Sequence, residues 1–101
     1  MNQLNNKEIN EEHPFFIIFV TVEFGRELFI WKEITKERYT SDEDILDLIK
    51  GILSRHKCIG FSFVRYINDK LEHPCSVSCI NTPPSEDQLF EFARDVFVLV
   101  H

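Results

Sequence analysis

Apolar residues recur along this chain in two rhythms, one of period two and one close to 3.6, and the switches between them mark out four strands and two helices. The run from Phe15 to Val20 is continuously apolar, and the chain then alternates Val20, Val22 and Phe24 against Thr21 and Glu23. Such a pattern suits a strand covered on both faces early and on one face later, so the first strand is expected at the centre of a sheet. Gly25-Arg26 breaks the rhythm, and Leu28 to Ile34 resumes it with Phe29, Ile30, Trp31 and Ile34, which makes a β-hairpin the simplest connection. The pattern leaves the register of this hairpin open; a three-residue loop would set Val22 opposite Ile30 and Ile18 opposite Ile34, leaving Phe29 and Trp31 together on the other face beside Thr21 and Glu23. Those two aromatics are the first candidate contact surface. The plainer alternative is that they support a second layer or the N-terminal arm, because aromatics are core residues first.

Helical spacing begins after Ser41. Ser41 is the expected N-cap, Asp42, Glu43 and Asp44 place carboxylates at the positive end of the dipole, and Ile45, Leu46, Leu48, Ile49, Ile52 and Leu53 form the apolar stripe. Arg55-His56-Lys57 supplies positive charge at the other end. A second hairpin follows. Cys58 to Ile67 alternates Ile59, Phe61, Phe63 and Ile67 against Gly60 and Ser62, and Leu71 to Ile80 alternates Leu71, Cys75, Val77 and Cys79 against Ser76 and Ser78. A three-residue loop, Asn68-Asp69-Lys70, faces Phe61 to Val77, Phe63 to Cys75 and Ile59 to Cys79, whereas a two-residue loop would face Phe61 to Ser76. The three-residue loop is therefore expected. Pro74 lacks an amide donor, which predicts a sheet edge or a bend at that point.

Ser85 and Gln88 compose a capping box for a last helix running to about Leu99, with Leu89, Phe92, Ala93, Val96 and Val100 on one face. Phe90, Phe97 and Leu99 widen that stripe, so a second copy of the chain is one candidate to cover the excess, as a homodimer through the last helix. A short strand over Phe97 to Val100 is the competing reading of the end. The order hairpin, helix, hairpin, helix predicts an α+β domain, a mainly antiparallel sheet with two helices packed on one face. Residues 1–12 are polar and read as a flexible arm, and residues 13–101 as a single compact domain.

Composition narrows the classes of function. Hydrophobic residues make up 44% of 101, ten of them Phe, which is enough to build a core without a disulfide framework or a metal. Eleven basic against seventeen acidic residues leave a net charge of −6, unfavourable for phosphate backbones and anionic membranes and complementary to a basic protein. No basic start with an apolar run resembles a signal peptide, and the run Phe15–Val20 is far shorter than the ~20 residues a membrane helix needs. Three cysteines with no C-x-x-C pair fit a reducing compartment, so a cytoplasmic location is expected.

Candidate chemistry is sparse. His56, Cys58, His73, Cys75 and Cys79 are superficial zinc ligands, but Cys75 and Cys79 stand ~13 Å apart along a strand and Cys58 is expected on the opposite face. Packing of Cys75 and Cys79 as small core hydrophobes is the expectation, with no metal and no cofactor. A thiol nucleophile would need a histidine base, and in the expected register His73 faces Arg65 at the surface while His56 lies near a helix end. Gly25, Gly51 and Gly60 stand too far apart to make a phosphate loop, and Phe61-Ser62-Phe63 lacks the neighbouring basic residues of a single-strand RNA reader. The carboxylates alone show spatial logic: Glu43 and Asp47 on one helix and Asp87, Glu91 and Asp95 on the other recur every four residues as exposed stripes. Like charges at that spacing cost a few tenths of a kcal/mol each, which a basic partner would offset. The bland alternative is a solvated face partly compensated by Lys50 and Arg94.

These readings predict a non-enzymatic, acidic, protein-binding inhibitor, such as an immunity protein that neutralises a toxin by covering its basic active surface. The expected partner-binding residues are Phe29, Trp31, Glu43, Asp47, Asp87, Glu91 and Asp95. The alternatives are a phage-type inhibitor of a host defence enzyme, a self-associating regulatory module, and a small enzyme whose site of histidines and cysteines is shared across a dimer.

Overall fold

The computed structural model describes residues 15–101, and the arm read over residues 1–12 and the start at His13-Pro14 lie outside the described residues. Strand β1 spans Phe15–Glu23, β2 Arg26–Ile34, helix α1 Asp42–Arg55, β3 Cys58–Ile67, β4 Lys70–Ser78 and helix α2 Glu86–Val100. The order along the sheet is β2-β1-β3-β4, with every neighbouring pair antiparallel. The apolar first strand is thus central, as its unbroken run predicts. Because β2 and β3 both oppose β1, they run parallel to each other, and α1 carries the chain across β1 from one to the other.

Alternation decides what reaches the core. Ile17 and Phe19 of β1, Ile34 of β2 and Phe61 and Phe63 of β3 pack with Ile45, Ile49 and Ile52 of α1 and Leu89, Phe92, Ala93, Val96 and Val100 of α2 in one cluster. Both helices therefore lie on one face of the sheet. Phe61 joins the layers, its ring 5.5 Å from that of Phe19 and 4.9 Å, edge-on, from that of Phe92. Thr21 is the one buried polar residue of this face among those described, and its hydroxyl donates to the Leu28 carbonyl at 3.4 Å. Both helix starts are built as their sequences predict: Ser41 accepts from the Asp44 N–H, and Ser85 and Gln88 exchange both bonds of the capping box. The last helix continues to Val100, so the competing strand over Phe97–Val100 does not form.

The second hairpin turn is tighter than expected, and the first, whose register the pattern leaves open, is tighter than the three-residue loop considered for it. Each has two residues rather than three: Glu23 pairs with Arg26 around Phe24-Gly25, and Ile67 with Lys70 around Asn68-Asp69. All four turn residues have positive φ (53°, 75°, 53° and 64°), the backbone that a tight turn matched to strand twist requires. In the first hairpin this moves the register, so that Phe29 lies opposite Val20 and Trp31 opposite Ile18, not beside Thr21 and Glu23. Apolar residues meet apolar ones across the strands more fully in this register. In the second hairpin the distant pairs Phe61–Val77 and Phe63–Cys75 are as expected, because a register shift between Phe63 and Arg65 absorbs the missing loop residue. That shift falls opposite Pro74, on an edge strand, so the proline marks both of the features it predicts.

Phe24 is an expensive occupant of its turn. Its φ is 53° and its side chain is fully exposed, so it gains no packing in return for a left-handed backbone. Replacing it by a residue suited to the position, Phe24→Asn, is expected to raise unfolding free energy by about 1 kcal/mol. In a domain of this size that is a rise of roughly 4–8 °C in Tm, read by thermal unfolding. An unchanged or lower Tm would show that the aromatic ring stabilises the turn.

Candidate functional site

With both helices on one face, the other face of the sheet carries the even-numbered residues of β1, those of β3 from Gly60 onward, and the odd-numbered residues of β2. Phe16, Ile18, Val20 and Val22 are half-buried there and Val64 is buried, whereas Phe29 is 57% and Trp31 50% exposed. Trp31 stands edge-on to Phe16, with ring centroids 5.4 Å apart. Tyr66 and Leu71, paired across β3 and β4, extend the apolar surface and are exposed. Between Phe29 and the β4 edge lies a hollow of about 390 Å³ whose walls include Val20, Ile59, Ser76 and Ser78. Gly60 leaves its floor bare, and a Cβ there would come within 3.1 Å of the Val77 carbonyl oxygen.

The carboxylate stripes occupy other surfaces. Glu43, Asp47, Asp87, Glu91 and Asp95 are all exposed, and among the described residues none of them is in an ion pair. Two of the cations on their helices are engaged elsewhere: Lys50 bridges α1 to α2 through Glu86 at 3.0 Å, and the Arg94 guanidinium lies 5.1 Å from the centre of the Phe90 ring. Glu91 and Asp95 overhang β4, lining with Gln88 and Phe92 a groove of about 290 Å³ beside Cys75–Ser78. The seven residues expected to meet a partner therefore fall in three places: Phe29 and Trp31 on the sheet face opposite the helices, Glu43 and Asp47 on α1, and the α2 stripe beside β4. Of the extra apolar width on α2, Phe97 and Leu99 are half-buried and pack against the core, Phe97 also resting against His101 at 4.3 Å, and Phe90 sits under Arg94.

All three cysteines pack against the core as small apolar side chains. Cys58 does not face away from the others as its position in a regular strand predicts. The β1–β3 register shifts between Val20 and Thr21, which sets Cys58 opposite the buried Thr21 and turns it to the helical side. Burial pushes its thiol pKa up, and neighbouring Cys79 adds to the shift. Burial likewise raises Cys79. Cys75 is pushed up to about 11, first by burial and then by the Asp95 carboxylate, with Arg65 opposing. Its native state therefore favours the protonated thiol, and the stability this contributes is lost as pH rises from about 9 towards 11. At neutral pH the three thiols are held in their weakly nucleophilic form.

The histidines have structural surroundings. His56 caps α1, its N–H donating to the Ile52 carbonyl at 3.0 Å, and its Nδ1 lies 3.8 Å from Glu23. Arg65 pairs with Glu72 at 3.1 Å rather than facing His73, because of the shift near Pro74, and His73 is exposed. His101 Nε2 lies 2.8 Å from the Tyr39 carbonyl oxygen, fastening the end of the chain to the segment before α1. Among the described residues no group of three or more His, Cys, Asp or Glu is placed to hold a metal ion, and no helix is long and apolar enough to cross a membrane.

Sequence reasoning missed Gly60, Ser76 and Ser78, the small residues that shape the hollow and the β4 edge. Their signal was present in the alternation Ser76, Ser78 against Cys75, Val77, Cys79, read there only for its apolar half. No family model matches the chain, and comparison with curated proteins and with solved structures finds no match.

Proposed function

We propose that this protein acts by binding a basic protein and obstructing it, as a small acidic inhibitor such as an immunity protein directed at a toxin or a nucleic-acid-handling enzyme. The observation that carries the reading is the apolar sheet face, where Phe29 and Trp31 stand half or more exposed and Phe29 lines a hollow. Large rigid aromatics beside a depression are the composition of a binding hot spot, and exposed aromatics on an apolar surface favour a macromolecular partner. The net charge of −6 supplies the preference for a basic one.

The two parts of this surface act over different ranges. Carboxylates on the helical layer are separated from the sheet face by the thickness of the domain, which exceeds the Debye length of about 8 Å at physiological salt. They attract the partner as it approaches, and the aromatics hold it after contact. Reversing three of them together, Asp87→Lys, Glu91→Lys and Asp95→Lys, is expected to slow association about tenfold at low salt with a smaller change at roughly 0.5 M. The measurement is the association rate of the protein that full-length wild type retains from host lysate at both salts. An unchanged rate at low salt would remove steering from the mechanism.

A further inference from the structure

Among the described residues the sheet ends on two strands, β2 and β4, and the charged stripe of α2 overhangs the β4 edge. Cys79 donates its N–H to the Ile59 carbonyl at 2.9 Å, which fixes the alternation of the β3–β4 ladder. Cys75, Val77 and Cys79 turn their backbone groups towards β3, and Ser76 and Ser78 turn theirs outward. Pro74 has no N–H and sits at the register shift, so the outward row of donors stops there. Beside this short row, on the helical side, Gln88, Glu91 and Asp95 form the outer wall of the groove. Its volume of about 290 Å³ lies at the lower end of the usual range of binding pockets, roughly 300–1,000 Å³, and is large enough to admit a long side chain.

We propose that the β4 edge is a strand-addition site, at which an extended basic segment of a partner protein pairs with Ser76 and Ser78 and sets lysine or arginine side chains against Glu91 and Asp95. Strand alternation makes the two requirements coincide. A residue of the incoming strand opposite Val77 points to the helical side and into the groove, whereas residues opposite Ser76 and Ser78 direct their N–H and C=O groups to those serines. The backbone bonds give affinity without sequence preference, and the two carboxylates select for positive charge at alternate positions. This rests on the reading of the partner as a basic protein, and it gives the α2 stripe a contact that the sheet face cannot supply.

The test uses the full chain labelled with ¹⁵N and, as probe, a capped heptapeptide of alternating threonine and lysine. Binding is expected to shift the Ser76 and Ser78 amides and slow their hydrogen exchange. The same peptide N-methylated at its threonines keeps the charge and loses the pairing donors, and is expected to bind at least about tenfold more weakly. Glu91→Gln with Asp95→Asn is expected to weaken the unmethylated peptide about three- to tenfold at low salt. Equal binding of the methylated peptide, or unperturbed Ser76 and Ser78 amides, would overturn strand addition. If the peptide fails while Phe29→Ser with Trp31→Ser still abolishes capture of the partner from lysate, the edge proposal falls and the inhibitor reading stands. If the peptide binds as expected while capture survives that double change, the sheet-face reading falls and strand addition stands.

Discussion

Phe61→Ala is expected to lower the unfolding free energy by about 3–5 kcal/mol, a large share of the roughly 5–15 kcal/mol available to a domain of this size. The ring is 2% exposed and lies between Phe19 on the neighbouring strand and Phe92 on α2, so its removal empties the contact that joins the sheet to the last helix. The surrounding structure has little freedom to collapse into the space. Phe19 is fixed by the strand pairs on either side of β1, and Phe92 by a helix whose start is held by a capping box. Urea unfolding followed by both Trp31 fluorescence and far-ultraviolet circular dichroism gives the size of the effect. An unchanged m-value with a lower midpoint assigns it to stability and not to a change in the denatured state. Phe90→Ala is the control: its ring is 41% exposed and packs chiefly under Arg94, so a loss of about 1 kcal/mol or less is expected. Loss at Phe61 no larger than at Phe90 would show that the two layers are not joined through that ring.

The same pattern of apolar positions makes much of the fold legible in the sequence. A period of two in strands and of 3.6 in helices depends only on which side faces the core, and the apolar residues within the six elements follow one or the other over most of their length. The positions of all six elements and the centrality of β1 follow. What escaped were insertions of a single residue, because they leave the alternation intact on either side. The expected three-residue turn at Asn68 gave the correct distant pairs Phe61–Val77 and Phe63–Cys75 through a compensating error, a tighter turn and an extra residue near Pro74. Cys58 changed face for the same kind of reason, at the shift beside Thr21. The first turn was missed because Phe24 is a poor residue for a left-handed position, and no propensity rule nominates it. The candidate surfaces suffered most. Helical spacing places Asp87, Glu91 and Asp95 on one stripe, but nothing in that spacing says that the stripe overhangs β4 while Phe29 and Trp31 look out from the opposite side of the sheet. Separation across the layers is a property of the tertiary fold alone.

Phe29→Ser combined with Trp31→Ser is expected to weaken partner binding by a factor of 100 or more, about 3 kcal/mol, while leaving the fold intact. The two effects separate because the residues are half or more exposed and lie on the face away from the main core, so their truncation opens no internal cavity. Some stability is lost through the edge-on contact of Trp31 with Phe16, about 0.5–1.5 kcal/mol for an aromatic pair. Binding loses more, because aromatic anchors near the centre of an interface take with them the exclusion of water from the contacts around them. The hollow over Gly60 sharpens the expectation: Gly60→Ala would fill its floor, and with the Val77 carbonyl only 3.1 Å from the new Cβ the strand pair must shift by a few tenths of an ångström. Titration calorimetry with the partner retained from lysate, alongside thermal unfolding of the same full-length variants, reads both quantities. Undiminished affinity in a folded double variant would move the docking surface off the sheet face and onto the α2–β4 flank, where the carboxylates already stand. Loss of affinity accompanied by loss of fold would show instead that Phe29 and Trp31 serve the packing of the sheet itself, as the plainer reading of two aromatics on a strand would have it.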